Sequence, residues 1–401
     1  MSSDQNLTGL GKLVVFLFIA GCIAGGYFLL RGDGESDPAN SSTTSTSTSS
    51  STAQAQPAGK RVTVGIAYGT EKRQWLEWAA VEFAKTDAGK TITIDLIPAG
   101  SLDGARKVVS GDTTVNVWSP ASSVYKDVFL QEWDMQHPGK NPISKEEVLA
   151  ISPMIFVGWK ERMDAFESKY GEVTFDAVAK GLAAPSGWEE IADKPDWGFF
   201  KFGMTDPNSS NSGMLGLTLM AHHFHNKSRA LGKADVVSSG FQQWLRGLAP
   251  AISGMTDSTG NLMREMVLKG PSVFDCVLVY ENLAIDYLKN ARGRWGELAV
   301  YYPSLNIWND NPYYILRNDW TSDAQRAGAE QFLKFLLSKQ AQERALIHGF
   351  RPADTSIAIN AADSPFMQYQ SSGIRVDIPR AVENPKADAV FELLTGWQRA
   401  R

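Results

Sequence analysis

Between Arg61 and Trp118 the chain alternates strand, helix, strand, helix, strand, and this alternation restricts the fold more than any other feature. Arg61-Val62-Thr63-Val64-Gly65-Ile66-Ala67 places apolar residues at every second position and then breaks at Tyr68-Gly69-Thr70. A period of two marks a strand. Glu71 to Lys85 reads as a helix with Leu76, Ala79, Ala80 and Phe83 on one face. Thr91 to Ile97 is a second strand, ended by Pro98 and Gly100. Leu102 to Ser110 is helical and leads into a third strand, Thr114 to Trp118. Strands joined by helices of this length pair in parallel, so the expected class is α/β.

Further along, Met154 to Gly158 is a strand and marks the first crossing into a second lobe. The second lobe holds the Trp188–His225 region and a helix-rich stretch to Lys269, followed by a buried strand from Val273 to Tyr280. Leu298 to Tyr302 is another strand, and the chain returns near Tyr313-Tyr314-Ile315-Leu316. Ser322 with Gln325 has the spacing of a capping box, and Phe332, Leu333, Leu336 and Leu337 form the apolar face of the helix it starts. The folded stretch of about 340 residues is too long for one core and suits two lobes. Residues 60–155 and 307–401 are expected in lobe one, and 156–306 in lobe two.

The front of the chain is of another kind. Leu13 to Leu30 is uncharged and apolar, long enough at about 1.5 Å per residue to span a bilayer's hydrocarbon layer. Lys12 precedes it, and Asp33, Glu35 and Asp37 follow Arg31, so an amino end in the cytoplasm (1–12), an anchor at 13–31 and an exported body are expected. Ile19-Ala20-Gly21-Cys22 also fits a lipobox that would leave Cys22 lipidated, and a cleaved signal is a third option. All three put the body outside the cytoplasm, on the plasma membrane or in the periplasm. Residues 32–59, rich in Ser and Thr, are expected to be a flexible tether.

Charge and cysteine content exclude some classes. A formal net charge of −5 gives no general attraction to phosphate backbones, so no nucleic-acid partner is expected. Cys276 is alone in the folded part, which rules out an internal disulfide or a cysteine metal site there. His222 and His225 share a helix face, but no further ligand accompanies them, and a solvated helix end is the expectation. Neither a cofactor nor a catalytic motif is indicated, and a monomer without enzymatic activity is expected.

Ligands of parallel sheets collect where strands end and helices begin. The chain offers such points at Thr70, at Ser119 and Ser122, at Thr205-Asp206 with Ser209-Ser210-Asn211-Ser212, and at Tyr280-Glu281. Ser258-Thr259, before another helix, is a fifth candidate. The 205–213 segment sets hydroxyls and amides before a helix start with no Lys or Arg, a pattern suited to an anion held by neutral donors. A plain helix cap accounts for some of these residues equally well.

VTVGIAYGT, VNVWSPAS, ISPMIFVGW, TDPNSSNSG, STGNLMREMVLKGPSVFDCVLVYEN and AEQFLKFLLSKQAQERALIHGFRP, in that order, resemble bacterial extracellular solute-binding proteins of the type II periplasmic binding fold, similar to the molybdate- and sulfate-type receptors of ABC transporters. The resemblance implies two lobes joined by two crossover strands. It also implies a small ligand between the lobes and an ABC permease as partner. It places ligand contacts on Ser119, Ser209 to Ser212 and Tyr280. Thr70 stands where such receptors often have serine, and Asn116 where they often have aspartate. A small oxyanion is the first expectation for the ligand, and a sugar or organic acid the next. A ligand sensor or scaffold on the membrane surface, without transport, is the alternative function.

Overall fold

The computed structural model describes residues 61–256, 258–288, 294–378 and 380–401. The expected cytoplasmic end, the anchor with Cys22 and the tether all lie outside the described residues. Among those described, no helix is long and apolar enough to cross a membrane.

In chain order the strands are β1 (Val62–Tyr68), β2 (Ile92–Pro98), β3 (Val117–Ser119), β4 (Ile143–Val148), β5 (Ala150–Trp159) and β6 (Phe202–Met204). They continue with β7 (Ser253–Gly254), β8 (Cys276–Tyr280), β9 (Leu298–Tyr301), β10 (Trp308–Asn309), β11 (Pro312–Leu316) and β12 (Arg351–Pro352). They form two sheets. The first has the order β2-β1-β3-β11-β4, with β1 parallel to β2 and β3 and with β11 antiparallel to its neighbours. The second has the order β10-β5-β8-β6-β7, with β6 parallel to β7 and β8 and with β5 antiparallel to β8. In each sheet one strand opposes all the others: β11 among five strands in the first, and β5 among seven in the second, where β9, β10 and β12 also pair antiparallel with it. The parallel pairing follows from the helices between consecutive strands.

The antiparallel members are the strands next to the crossings. Only Leu149 separates β4 in the first sheet from β5 in the second, and only Asp310 and Asn311 separate β10 from β11 on the way back. The two crossings are tied side by side: Leu149 N donates to Asn311 O at 3.2 Å, and Asn311 Nδ2 donates to Ala150 O at 3.1 Å. The first crossing therefore precedes Met154, where the apolar run suggested it. Ala150, Ser152 and Pro153 open β5 without an apolar alternation, so the periodicity begins later than the strand.

Local chemistry explains the first sheet. Gly65 is required in β1, since a Cβ there would lie 1.8 Å from the Thr114 carbonyl oxygen. Asn116 Oδ1 accepts from Gly65 N at 3.0 Å, so the asparagine holds β1 against the segment leading to β3. Helices Arg73–Phe83 and Asp323–Leu336 cover one face, packing Trp75, Leu76, Phe83, Phe332 and Leu333 on Val64 and Ile66. Each such buried side chain contributes about 1.5–3 kcal/mol. The expected capping box is present, with Gln325 N donating to Ser322 Oγ at 3.2 Å and Ser322 N donating to Gln325 Oε1 at 3.0 Å. The first helix begins at Arg73 rather than Glu71, because Thr70–Lys72 forms a tighter 3-10 turn. β4 gave no sequence signal because it is an edge strand with mostly exposed side chains. The last helix, Ala387–Ala400, packs beside helices Asn211–Phe224 and Ser239–Leu248, around the second sheet.

Candidate ligand-binding site

Six strand ends converge on one small cavity. From the first sheet come Gly69 to Glu71 after β1, Gly100 and Ser101 after β2, and Ala121 after β3. From the second come Ser210 and Asn211 after β6, Ser258 and Thr259 after β7, and Tyr280 at the end of β8. Parallel strands carry their following helices away from the same edge, so both sheets present helix starts to this space.

Two of those helix starts are bare. Helices Ser101–Val109 and Asn211–Phe224 have no side chain capping them, and both begin in the cavity lining. The first N–H groups of a helix have no intrahelical acceptor and carry its positive dipole end. The helix Thr259–Lys269 is capped, with Asn261 N donating to Ser258 Oγ at 3.3 Å.

The two sides touch at the rim. Thr70 Oγ1 and Ser258 Oγ lie 3.0 Å apart, and a Cβ on Gly100 would sit 2.9 Å from the Ser209 carbonyl oxygen. Inside, Asn211 Nδ2 donates to the Tyr280 hydroxyl at 3.0 Å and to Asn309 Oδ1 at 2.9 Å, which leaves Asn211 Oδ1 buried without a partner among the described residues. Ser101 Oγ accepts from Ala121 N at 3.0 Å, so its own proton remains available to a ligand. Burial raises the Tyr280 hydroxyl well above its ordinary pKa, keeping it a neutral donor.

Among the described residues, the one charged residue in the lining is Glu71. Lys72 Nζ donates to Glu71 Oε1 at 2.6 Å, to Pro120 O at 2.9 Å and to Asn311 Oδ1 at 3.2 Å. Lys72 is fully buried; desolvation lowers its pKa, and the Glu71 carboxylate pulls it back up. The lysine thus ties the cavity wall to the second crossing, where Asn311 holds a left-handed φ of 40°.

Of the residues expected to contact ligand, Thr70, Ser210, Asn211, Ser258, Thr259 and Tyr280 line the cavity, and the others do not. Ser119 donates to Pro312 O at 2.9 Å, and Ser122 Oγ accepts from Val124 N at 3.3 Å as a turn cap. Thr205 and Ser212 stand behind the wall with hydroxyls 2.7 Å apart, and Ser212 lies 2.6 Å from Thr259 Oγ1. Asp206 accepts from Asn208 N at 3.0 Å in a local turn, and Ser209 offers its backbone at the rim. Glu281 is fully buried elsewhere, paired with Arg351.

Glu71, Gly100 and Ser101 carry no mark as contacts in the sequence, whereas Thr259 stands with Ser258 at the fifth candidate point. Pro98-Ala99-Gly100-Ser101 follows a strand and opens a helix, the same signal that marked Thr70. The histidines also differ from expectation. His222 is buried, with ring nitrogens 2.7 Å from Lys227 O and 3.2 Å from Glu383 O, and is no part of a solvated helix end. Among the described residues no group of His, Cys, Asp or Glu is arranged to hold a metal ion.

Residues 64–351 match the family model described as bacterial extracellular solute-binding protein. No curated protein matches the sequence significantly. Among solved structures, the sulfate-binding protein SubI from Mycobacterium tuberculosis H37Rv is similar at a TM-score of 0.55 and 16% identity, over 84% of this chain and 97% of that one. The substrate binding protein of an ABC transporter from Agrobacterium tumefaciens has a TM-score of 0.59 and 12% identity, over 86% and 95%. A periplasmic thiamin binding protein has 0.58 and 14%, over 86% and 99%. Such low identities speak for the fold alone, and sulfate and thiamin are unlike enough that the cavity's own residues must decide the ligand.

Proposed function

The chain belongs to the bacterial extracellular solute-binding proteins, and from that premise we propose that it captures a small oxyanion between two lobes and presents it to an ABC-type importer. Two bare helix starts meeting in one hydroxyl-lined cavity without a Lys or Arg carry this reading. Free N–H groups and dipole ends stabilise an anion without a formal positive charge. The fold shared with the substrate binding protein of an ABC transporter fits the importer part of this reading. Outside the Thr70–Ser258 contact lies a groove lined by Arg73 and Arg264 together with Glu71 and Asp286.

In this reading each sheet is the core of one lobe, the paired crossings at Leu149 and Asp310–Asn311 are the hinge, and Thr70 meets Ser258 as the lobes close. Residues 61–149 and 312–350 make up lobe one, and the final helix goes with lobe two. The solute is held by hydrogen bonds and released unchanged. The leader at 13–31 anchors the body outside the cytoplasm, within reach of a membrane permease. Calorimetric titration of the full chain with phosphate, sulfate and molybdate tests the ligand class. Heat of binding from at least one is expected, and no heat from any would sink the oxyanion reading.

A further inference from the structure

The lining of the cavity is not all donors. Its one charged side chain is a carboxylate: Glu71 lies against the backbone of Gly69, where a Cβ would come within 2.4 Å of both its oxygens. Lys72 approaches only Oε1, from behind the wall. A carboxylate offers about four lone-pair sites, so acceptor capacity remains toward the cavity. Asn211 adds an unpartnered polar atom, 3% exposed. Its amide can present either end, because Tyr280 and Asn309 can reverse their hydrogen bonds with it. Bare helix starts and hydroxyls therefore face a built-in acceptor across the same small space.

Taking the oxyanion reading as given, we propose that the cavity selects anions that carry a hydrogen-bond donor of their own, with Glu71 as the selecting residue. A fully deprotonated tetrahedral ion such as sulfate or molybdate would set a negative oxygen against the Glu71 carboxylate with no proton between them. Like charges held together out of water oppose binding, and this is a repulsive element of specificity. Hydrogen phosphate reverses the sign: its P–OH donates to the carboxylate in a short charge-assisted bond, while its other oxygens face the helix starts at Ser101 and Asn211. A small zwitterionic amino acid carries the same chemistry, an anionic end and an N–H donor.

Titration of the wild-type full chain at constant ionic strength with inorganic phosphate, sulfate, molybdate and glycine is the primary test. Phosphate is expected to bind at least about tenfold more tightly than sulfate or molybdate. Glu71→Gln alone would leave Lys72 buried without its counter-charge, so the variant to use is Glu71→Gln with Lys72→Met. It should reduce the preference for phosphate over sulfate to about twofold or less. Tight glycine binding that the double variant loses supports the same donor-bearing chemistry and moves the ligand to the amino-acid source. Sulfate or molybdate binding as tightly as phosphate, or a preference untouched by the double variant, overturns the role of Glu71 while leaving the oxyanion reading intact. Silence from all four probes overturns both.

Discussion

Arg351→Met separates a structural role for Glu281 from the ligand contact that its place after β8 suggests. Arg351 Nε and one terminal nitrogen donate to the two Glu281 carboxylate oxygens at 2.8 and 2.9 Å, and the Tyr302 hydroxyl also donates to that carboxylate. Glu281 is fully buried, so methionine would leave a carboxylate without its counter-charge. Breaking a buried pair in this way costs about 3–5 kcal/mol. Unfolding entropy of about 2.1 cal/mol/K per residue, over the folded part of about 340 residues, converts that loss to a Tm lowered by about 4–7 °C. Burial raises the Glu281 pKa above its ordinary 4.5, and Arg351 opposes the rise; removing the arginine raises it further. For a raised carboxyl the native state holds the proton more tightly than the unfolded one. The variant is then least handicapped below about pH 4.5 and loses stability as pH rises through the raised value. Scanning calorimetry at pH 7.5 and pH 5 should show the gap to wild type narrowing at the lower pH, with anion affinity unchanged at neutral pH. An unaltered Tm together with lost binding would refute the structural assignment and return Glu281 to the ligand.

Other substitutions probe the remaining assignments. Ser119→Ala removes the donor to Pro312 O and should cost about 1 kcal/mol of stability by denaturant titration, with ligand affinity unchanged. Gly100→Ala puts a Cβ 2.9 Å from the Ser209 carbonyl oxygen and must hold the rim apart; affinity should fall about tenfold in calorimetry while the melting temperature barely moves. His222 is held below its usual pKa of 6.5 mainly by burial. The unfolded chain therefore binds the extra proton first, and stability present above pH 6.5 is lost as pH falls below it, by at most about 1.4 kcal/mol per pH unit. His222→Gln should flatten the dependence of Tm on pH between about 6.5 and 5.

What the sequence disclosed and what it withheld divide along a physical line. β1 and β2 were legible because each alternates one face against the other, and the Ser322 cap because both its partners lie within one helical turn. The strand-end rule reached Thr70, Ser210, Asn211, Ser258 and Tyr280 because the class of fold determines where such ends point. A hydroxyl at a strand end has two uses, however, and the choice rests on residues far along the chain. Ser119 turns to a carbonyl 193 positions away, and Lys72 reaches an asparagine 239 positions away. Neither bond leaves a trace in local periodicity, since each depends on two crossings lying side by side. Glu71 was hidden for the same reason: beside Arg73 at the head of a helix, it reads as an ordinary first-turn acid. Only the approach of the second sheet encloses it, and enclosure is what turns an ordinary acid into a filter for the charge and protons of a guest.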